Sequence, residues 1–199
     1  MNEELGSKIS SGDSPIKVKI QNVVASASLG HSLDLKAVLR AFPDVNYRPE
    51  VFPGLAFRIR NPRSCTLLFK TGKMVCTGTK SEREAKRAVM NVIKELRRAG
   101  IVIRREEPRF EIQNIVASVD LGSVLIDLEQ IIYDFRGNVM YEPEQFPGLI
   151  YRMDDPKVVF LIFASGKLVC VGAKREKDIY RAVEKLLKVL AEKGVVTRG

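Results

Sequence analysis

YRPEVFPGLAFRIRNPRSCTLLFKTGKMVCTGTK, residues 47–80, returns 94 positions later as YEPEQFPGLIYRMDDPKVVFLIFASGKLVCVGAK, residues 141–174, with 17 of 34 positions identical. Upstream, IQNVVAS (Ile20 to Ser26) returns as IQNIVAS (Ile112 to Ser118) at an offset of 92. A period near 93 with two copies is an internal duplication, since solenoid units are shorter and more numerous. The reading is a mobile N-terminal tail at residues 1–15, a first repeat at 16–105 and a second at 106–199, the repeats related by a pseudo-two-fold axis.

Each copy opens on an alternating strand, Lys17 to Ala27 or Phe110 to Val119, and passes into a short amphipathic helix near Ser32 to Ala41 or Asp127 to Tyr133. Apolar and β-branched segments at Leu55 to Arg60, Thr66 to Lys70 and Lys73 to Thr77 predict further strands. Thr71-Gly72 between the last two signals a two-residue hairpin turn, repeated by Ser165-Gly166. A long helix closes the first copy. It begins with the capping box Ser81-x-x-Glu84 and carries Ala85, Ala88, Val89, Val92, Ile93 and Leu96 on one face before Gly100. Ile179, Ala182, Val183, Leu186, Leu187 and Leu190, ending at Gly194, form its counterpart, and Arg104 to Arg109 is a short charged linker.

Helices on one side of a sheet leave the other side expected to be polar, yet this one is not. Leu67, Phe69, Lys73, Val75 and Thr77 share one face while Leu68, Met74 and Cys76 share the opposite one. In the second copy Leu161, Phe163, Lys167, Val169 and Val171 take the first set's place. An apolar open face ringed by Arg and Lys implies a partner; a second layer or another subunit covering it is the plainer reading.

The formal charge of +9 and a pI near 9.6 suggest a polyanionic partner. Residues 1–105 hold 20 basic and 9 acidic side chains, whereas residues 106–199 hold 13 and 15, so the halves cannot serve identical partners. No apolar run of the roughly 18 to 20 residues that a membrane span needs is present, nor the apolar stretch of a signal peptide, and the chain reads as intracellular. Cys65, Cys76 and Cys170 form no C-x-x-C pair and have the single histidine His31 to join them, which excludes an ordinary zinc site. They read as small buried hydrophobes, with a Cys76–Cys170 disulfide as the thermophile alternative. No P-loop, metal cluster or paired acid and base appears, so neither cofactor nor enzymatic activity is expected.

Phe52-Pro53-Gly54-Leu55, Phe69-x-x-Gly72-Lys73, Val75-Cys76-Thr77-Gly78 and their second copies resemble the TATA-box-binding protein family over about residues 17 to 195. The resemblance implies an α+β pseudo-two-fold saddle: a ten-stranded curved antiparallel sheet, concave side on DNA, with four helices on the convex face. It implies sequence-specific binding to TATA-box promoter elements in the minor groove, with DNA bending that nucleates transcription preinitiation complex assembly. Carried over, it makes Phe52, Phe69, Phe146 and Phe163 the wedges that enter between base steps. Asn22 and Asn114, poor β formers in mid-strand, become donors to adenine N3 and thymine O2, with Thr77 adding a hydroxyl. Val24, Val75, Val116, Val169 and Val171, with Leu67 and Leu161, press on the groove floor and disfavour the guanine 2-amino group.

Arg58, Arg152, Lys73, Lys167, Lys80 and Lys174 become the phosphate contacts. Thr77 faces Val171 across the repeat, at a position where the family often has threonine, which puts a second hydroxyl contact in doubt. Glu142 and Glu144 precede Phe146 in the loop the family presents to a factor resembling transcription factor B, where the first copy has Arg48 and Glu50. Partners implied are double-stranded promoter DNA, that factor and the RNA polymerase machinery, with no membrane; weak self-association through the open face without DNA stays open. The compact ends resemble archaeal members, hence a cytoplasmic, nucleoid-associated protein; a eukaryotic member is nuclear. Two other classes compete. An RNA or single-strand binding sheet stacks bases on Phe69 and Phe163, but its Lys/Arg-Gly-Phe-Gly-Phe-Val-x-Phe signature is missing. A repair enzyme on a related fold needs a catalytic group, and His31 reads as helix capping or surface.

Overall fold

The computed structural model describes residues 15–104, 106–135 and 137–198, so the predicted tail, apart from Pro15, lies outside the described residues, as does Arg105 of the predicted linker. Residue contacts divide the chain into two compact units, Gln21–Asn114 and Ile115–Gly199 joined by the stretch ending at Ile20.

In the first unit, strands β1 (Lys17–Ser28), β2 (Leu55–Arg60), β3 (Arg63–Leu68) and β4 (Lys73–Thr79) lie antiparallel in the order β2-β3-β4-β1, with helices α1 (Leu35–Ala41) and α2 (Glu82–Arg98). In the second, β5 (Arg109–Asp120), β7 (Val139–Met140), β8 (Leu149–Met153), β9 (Val158–Ile162) and β10 (Lys167–Ala173) run in the order β5-β10-β9-β8-β7, with helices α3 (Leu128–Asp134) and α4 (Glu176–Lys193). The two-residue β7 has a first-copy counterpart in the isolated bridge Asn46↔Ala56, matching Met140↔Ile150. Counting that bridge, each copy contributes five antiparallel strands. Strands β6 (Val124–Ile126) and β11 (Val196–Arg198) form a separate ladder in the second copy. At the corresponding place in the first, His31 closes the gap: its Nε2 accepts from the Arg104 N–H at 3.2 Å, so its Nδ1 donates to the Ser32 carbonyl at 2.8 Å. His31 is thus a backbone clasp, and Asp34 is the cap of α1.

Alternation along each strand puts Val23, Ala25, Ala27, Leu55, Phe57, Leu68, Met74 and Cys76 in the first core beneath the apolar stripe of α2. Each Val, Leu or Ile buried there contributes about 1.5–3 kcal/mol over its exposed state. Paired aromatics mark the duplication: Phe42 meets Phe57 edge to face at 5.0 Å, and Phe135 meets Tyr151 at 5.2 Å. The Ser81 hydroxyl accepts from the Glu84 N–H at 3.0 Å, but the Glu84 carboxylate reaches one residue beyond the box, to the Lys80 N–H at 2.9 Å. At α4 no side chain caps the helix at Arg175; Arg175 instead pairs with the nearly buried Asp178 at 2.9 Å.

Cys76 and Cys170 are free and fully buried, so the disulfide alternative is not what the fold forms. Burial pushes the Cys170 thiol up to about 12 and raises Cys76 too, with the nearby Thr66 and Ser64 hydroxyls acting in the opposite direction.

Candidate nucleic-acid interface

Cross-strand pairing sets the open face of each unit row by row, because residues directly opposite in an antiparallel ladder point the same way. In the first unit Ala56, Leu67, Val75 and Ser26 are successive Cα partners, and Arg58, Cys65 and Thr77 form the adjoining row. In the second unit the rows are Ile150, Leu161, Val169 and Ser118, then Arg152, Val159, Val171 and Val116. Apart from the exposed arginines these side chains are half-buried, while most of their strand neighbours are buried in the cores. The predicted floor residues Leu67, Val75 and Thr77, and Leu161, Val169, Val171 and Val116, are therefore brought together within their own units. The rows also add Ala56, Cys65 and Ser26 with Ile150, Val159 and Ser118, which the sequence reading did not single out. Only the register identifies them, since alternation alone does not say which strands are neighbours.

Both copies interrupt the ladder with one extra residue beside this floor. Val23 pairs with Thr79 and Ala25 with Cys76, which leaves Val24 opposite the pair Thr77-Gly78; in the second copy Gly172 is the extra residue between Val171 and Ala173. Gly78 and Gly172 have φ of +96° and +101°, a conformation that explains the glycine of the Val-Cys-Thr-Gly and Val-Cys-Val-Gly segments. The bulge frees the Gly78 N–H from the ladder, and the Asn22 Oδ1 takes it at 2.7 Å. Because an N–H must face an oxygen, that contact fixes the carboxamide's orientation and turns its Nδ2 to the Thr77 Oγ1 at 3.1 Å. Asn22 sits in mid-strand because it completes a bulge, and in doing so it holds Thr77 on the open face. Asn114 occupies the matching place in β5 and is half-buried.

Beyond the rows lie the phenylalanines. Phe52 and Phe69 meet edge to face at 5.9 Å and 70°, Phe146 and Phe163 at 5.8 Å and 68°. Each pair stands over a glycine: a Cβ on Gly54 would come within 2.6 Å of the Phe52 ring and 3.0 Å of Phe69, and one on Gly148 repeats both distances against Phe146 and Phe163. Phe52 and Phe146 remain 44% and 39% exposed, large for aromatic rings already in contact. The loops before them share one turn, with the Phe52 N–H bonded to the Arg48 carbonyl and the Phe146 N–H to the Glu142 carbonyl, each at 2.9 Å. Glu142 and Glu144 are exposed on that turn.

Phe69 and Phe163 open hairpin loops one residue longer than expected. The Phe69 N–H bonds to the Lys73 carbonyl and the Gly72 N–H to the Phe69 carbonyl, so Lys70, Thr71 and Gly72 form a three-residue loop ending in a glycine at φ +80°. Ala164, Ser165 and Gly166 repeat it. The His31 carbonyl lies where a Cβ on Gly72 would stand, which seats this loop against the chain.

Among the expected cations, Arg58, Arg152, Lys73, Lys167, Lys80 and Lys174 are all exposed. The Lys80 ammonium donates to the Gln21 carbonyl, which anchors it beside β1. Arg58, Arg60, Arg63 and Lys80 line a depression of about 870 Å³ together with Cys65 and Thr77. Arg60 and Arg63 are additions to the sequence reading, though the alternation of β2 carried the signal for Arg60. Their second-copy counterparts are Asp154 and Lys157, and the neighbouring Asp155 is held below the usual carboxylate range by its hydrogen bond from Lys185, helped by Arg181. Among the described residues no three His, Cys, Asp or Glu side chains are grouped to hold a metal ion, and no helix is long and apolar enough to cross a membrane.

Comparison with known proteins agrees with this geometry. The family model described as Transcription factor TFIID (or TATA-binding protein, TBP) matches residues 17–99 and 109–193, one match for each copy. The TATA-box-binding protein of Sulfurisphaera tokodaii is 50% identical over 175 residues, spanning 88% of this chain and 87% of that protein. That of Archaeoglobus fulgidus is 46% identical over 181 residues, spanning 90% of this chain and 98% of its own length. A solved structure, Methanococcus jannaschii TBP, superposes with a TM-score of 0.78 at 46% identity, covering 88% of this chain and 99% of that one. With the α+β arrangement of antiparallel strands and helices, the doubled phenylalanine pairs and both copies matched, the chain belongs to the TATA-box-binding protein family.

Proposed function

We propose that the chain binds A·T-rich promoter duplex in the minor groove, bends it, and so nucleates transcription initiation. The observation that carries this is the pair of phenylalanine clusters, built alike over Gly54 and Gly148 at the border of an apolar strand face. A half-exposed ring costs free energy in water. Wedged between base steps, a buried Phe returns roughly 1.5–3 kcal/mol against an unstacking cost of a few kcal/mol per step, and the opened groove then meets more of the floor. The valines and leucines of the rows cannot pair a guanine 2-amino group, which would be buried unsatisfied, so they favour A·T over G·C. Asn22, Asn114 and Thr77 supply donors to the acceptors that A·T pairs present there, and the six expected lysines and arginines take the phosphates. The family is one of DNA-binding transcription factors and not of enzymes.

Inosine·C pairs present the minor groove of A·T and the major groove of G·C. Binding to an inosine·C duplex should fall within about fivefold of A·T, with G·C weaker by about a hundredfold, and six phosphate contacts give a salt slope of about −5. Inosine·C binding as weak as G·C contradicts a minor-groove reader.

The exposed Glu142 and Glu144, against Arg48 and Glu50, support recognition of the second copy's loop by a basic surface of a factor resembling transcription factor B, ahead of RNA polymerase. Charge reversal of both glutamates should abolish the ternary complex while sparing DNA binding; an unchanged ternary complex overturns this assignment. An archaeal member of the family works on the nucleoid in the cytoplasm. Without DNA, the exposed apolar rows favour weak self-association, which promoter DNA should reverse.

A further inference from the structure

The two copies match closely on the open face apart from Ala56 against Ile150 and two changes in the adjoining row. Arg58, Cys65 and Thr77 of the first unit correspond to Arg152, Val159 and Val171 of the second. In the first unit the Thr77 Oγ1 already accepts from the Asn22 Nδ2 at 3.1 Å, and the Asn22 Oδ1 is taken by the Gly78 N–H at 2.7 Å. The Thr77 hydroxyl hydrogen can turn instead toward the same Oδ1 at 3.3 Å, the longest contact of the set, made to an oxygen that already accepts the short Gly78 bond. That hydrogen is therefore available to a stronger acceptor on the open face, with its oxygen held in place from behind. Val171 fills the same register position with methyl groups, between Val116 and Val159.

We propose that Thr77 makes the copies unequal readers of the groove. The first repeat donates a hydroxyl hydrogen bond to a base acceptor where the second offers apolar contact alone, so the protein orients on a site according to which half carries that acceptor. This rests on the minor-groove reading above. Thr77 and Val171 are on this account specificity-determining residues: a hydroxyl over a base edge stripped of its acceptor is buried unsatisfied, whereas a valine there loses nothing.

The test uses a self-complementary A·T duplex in which every adenine of one half is replaced by 3-deazaadenine, which lacks the N3 acceptor. The full chain carries a donor dye on azidophenylalanine replacing the exposed Tyr133 of the second repeat, and the duplex carries an acceptor dye at one end. Energy transfer should show the second repeat over the modified half in about fivefold to tenfold excess. Thr77→Val and Val171→Thr, which make the copies alike at this position, should each bind in both orientations equally. Tight binding of the wild type with even orientations, or a preference that survives in either variant, overturns the proposal. Failure of the wild type to bind and bend the unmodified duplex instead sinks the minor-groove reading beneath it, so the two failures are told apart.

Discussion

Replacing a hydrogen of Gly54 by a methyl group drives it into the Phe52 ring, and the same change at Gly148 strikes Phe146. The obstacle is the end of a side chain that can swing away, so the fold should survive at a cost of under about 1.5 kcal/mol while the ring leaves its place. Gly54→Ala with Gly148→Ala is expected to hold its melting temperature within a few degrees yet lose tenfold or more in affinity for A·T duplex, about 1.4 kcal/mol. Calorimetry and titration of one preparation check both halves, and wild-type affinity in the double variant contradicts the wedge assignment. The cysteines give a second test at this scale. Burial holds the Cys170 thiol near 12 in the fold against 9.0 as its ordinary value, so the folded state keeps a proton that the unfolded chain gives up. Its stabilisation is present below pH 9 and is lost as pH climbs toward about 12, at up to ~1.4 kcal/mol per pH unit. Urea midpoints between pH 8.5 and 11 should fall more steeply for the wild type than for Cys170→Ala, and equal slopes contradict this. Residue type made these thiols legible as core, whereas Cys65 was hidden by it: the same small hydrophobe stands half-exposed on the open face because its register partners are Arg58 and Thr77.

Most elements were legible because the two copies check one another, and the departures have local causes. β3 begins at Arg63, ahead of the apolar run that announced it, since Ser64 and Thr66 are buried in the ladder, with the Ser64 hydroxyl donating to the Pro62 carbonyl. Ser64, a polar residue on the core side, defeated a pattern built on hydrophobicity, which started the strand at Thr66. The hairpin loops are one residue longer than expected because a two-residue turn and a three-residue turn both place glycine last, and only the Phe69 to Lys73 and Phe163 to Lys167 hydrogen bonds separate them. At α2 the signal was direct, and it carries a prediction. Ser81→Ala removes the 3.0 Å bond to the Glu84 N–H and should cost about 1 kcal/mol in unfolding free energy by denaturant titration. A neutral result implies that the Glu84 bond to the Lys80 N–H holds the helix start unaided.

For the molecule as a whole, duplication explains why both copies repeat one design, and charge explains why the halves are not equivalent. The excess of basic residues lies in the first copy, where Arg58, Arg60, Arg63 and Lys80 surround one depression, while the second sets Asp154 and Asp155 at the matching edge. The division of charge was legible by counting. Its concentration at one depression was not, because that depends on which strand edges adjoin. The central claim is that paired phenylalanines bend the duplex by entering it. It is tested most directly by energy transfer across a duplex labelled at both ends, with a central TATA-like element, comparing wild type and Phe52→Ala with Phe146→Ala. The wild type should shorten the end-to-end distance, and the double variant should lose that effect. A double variant that bends the duplex as the wild type does contradicts it.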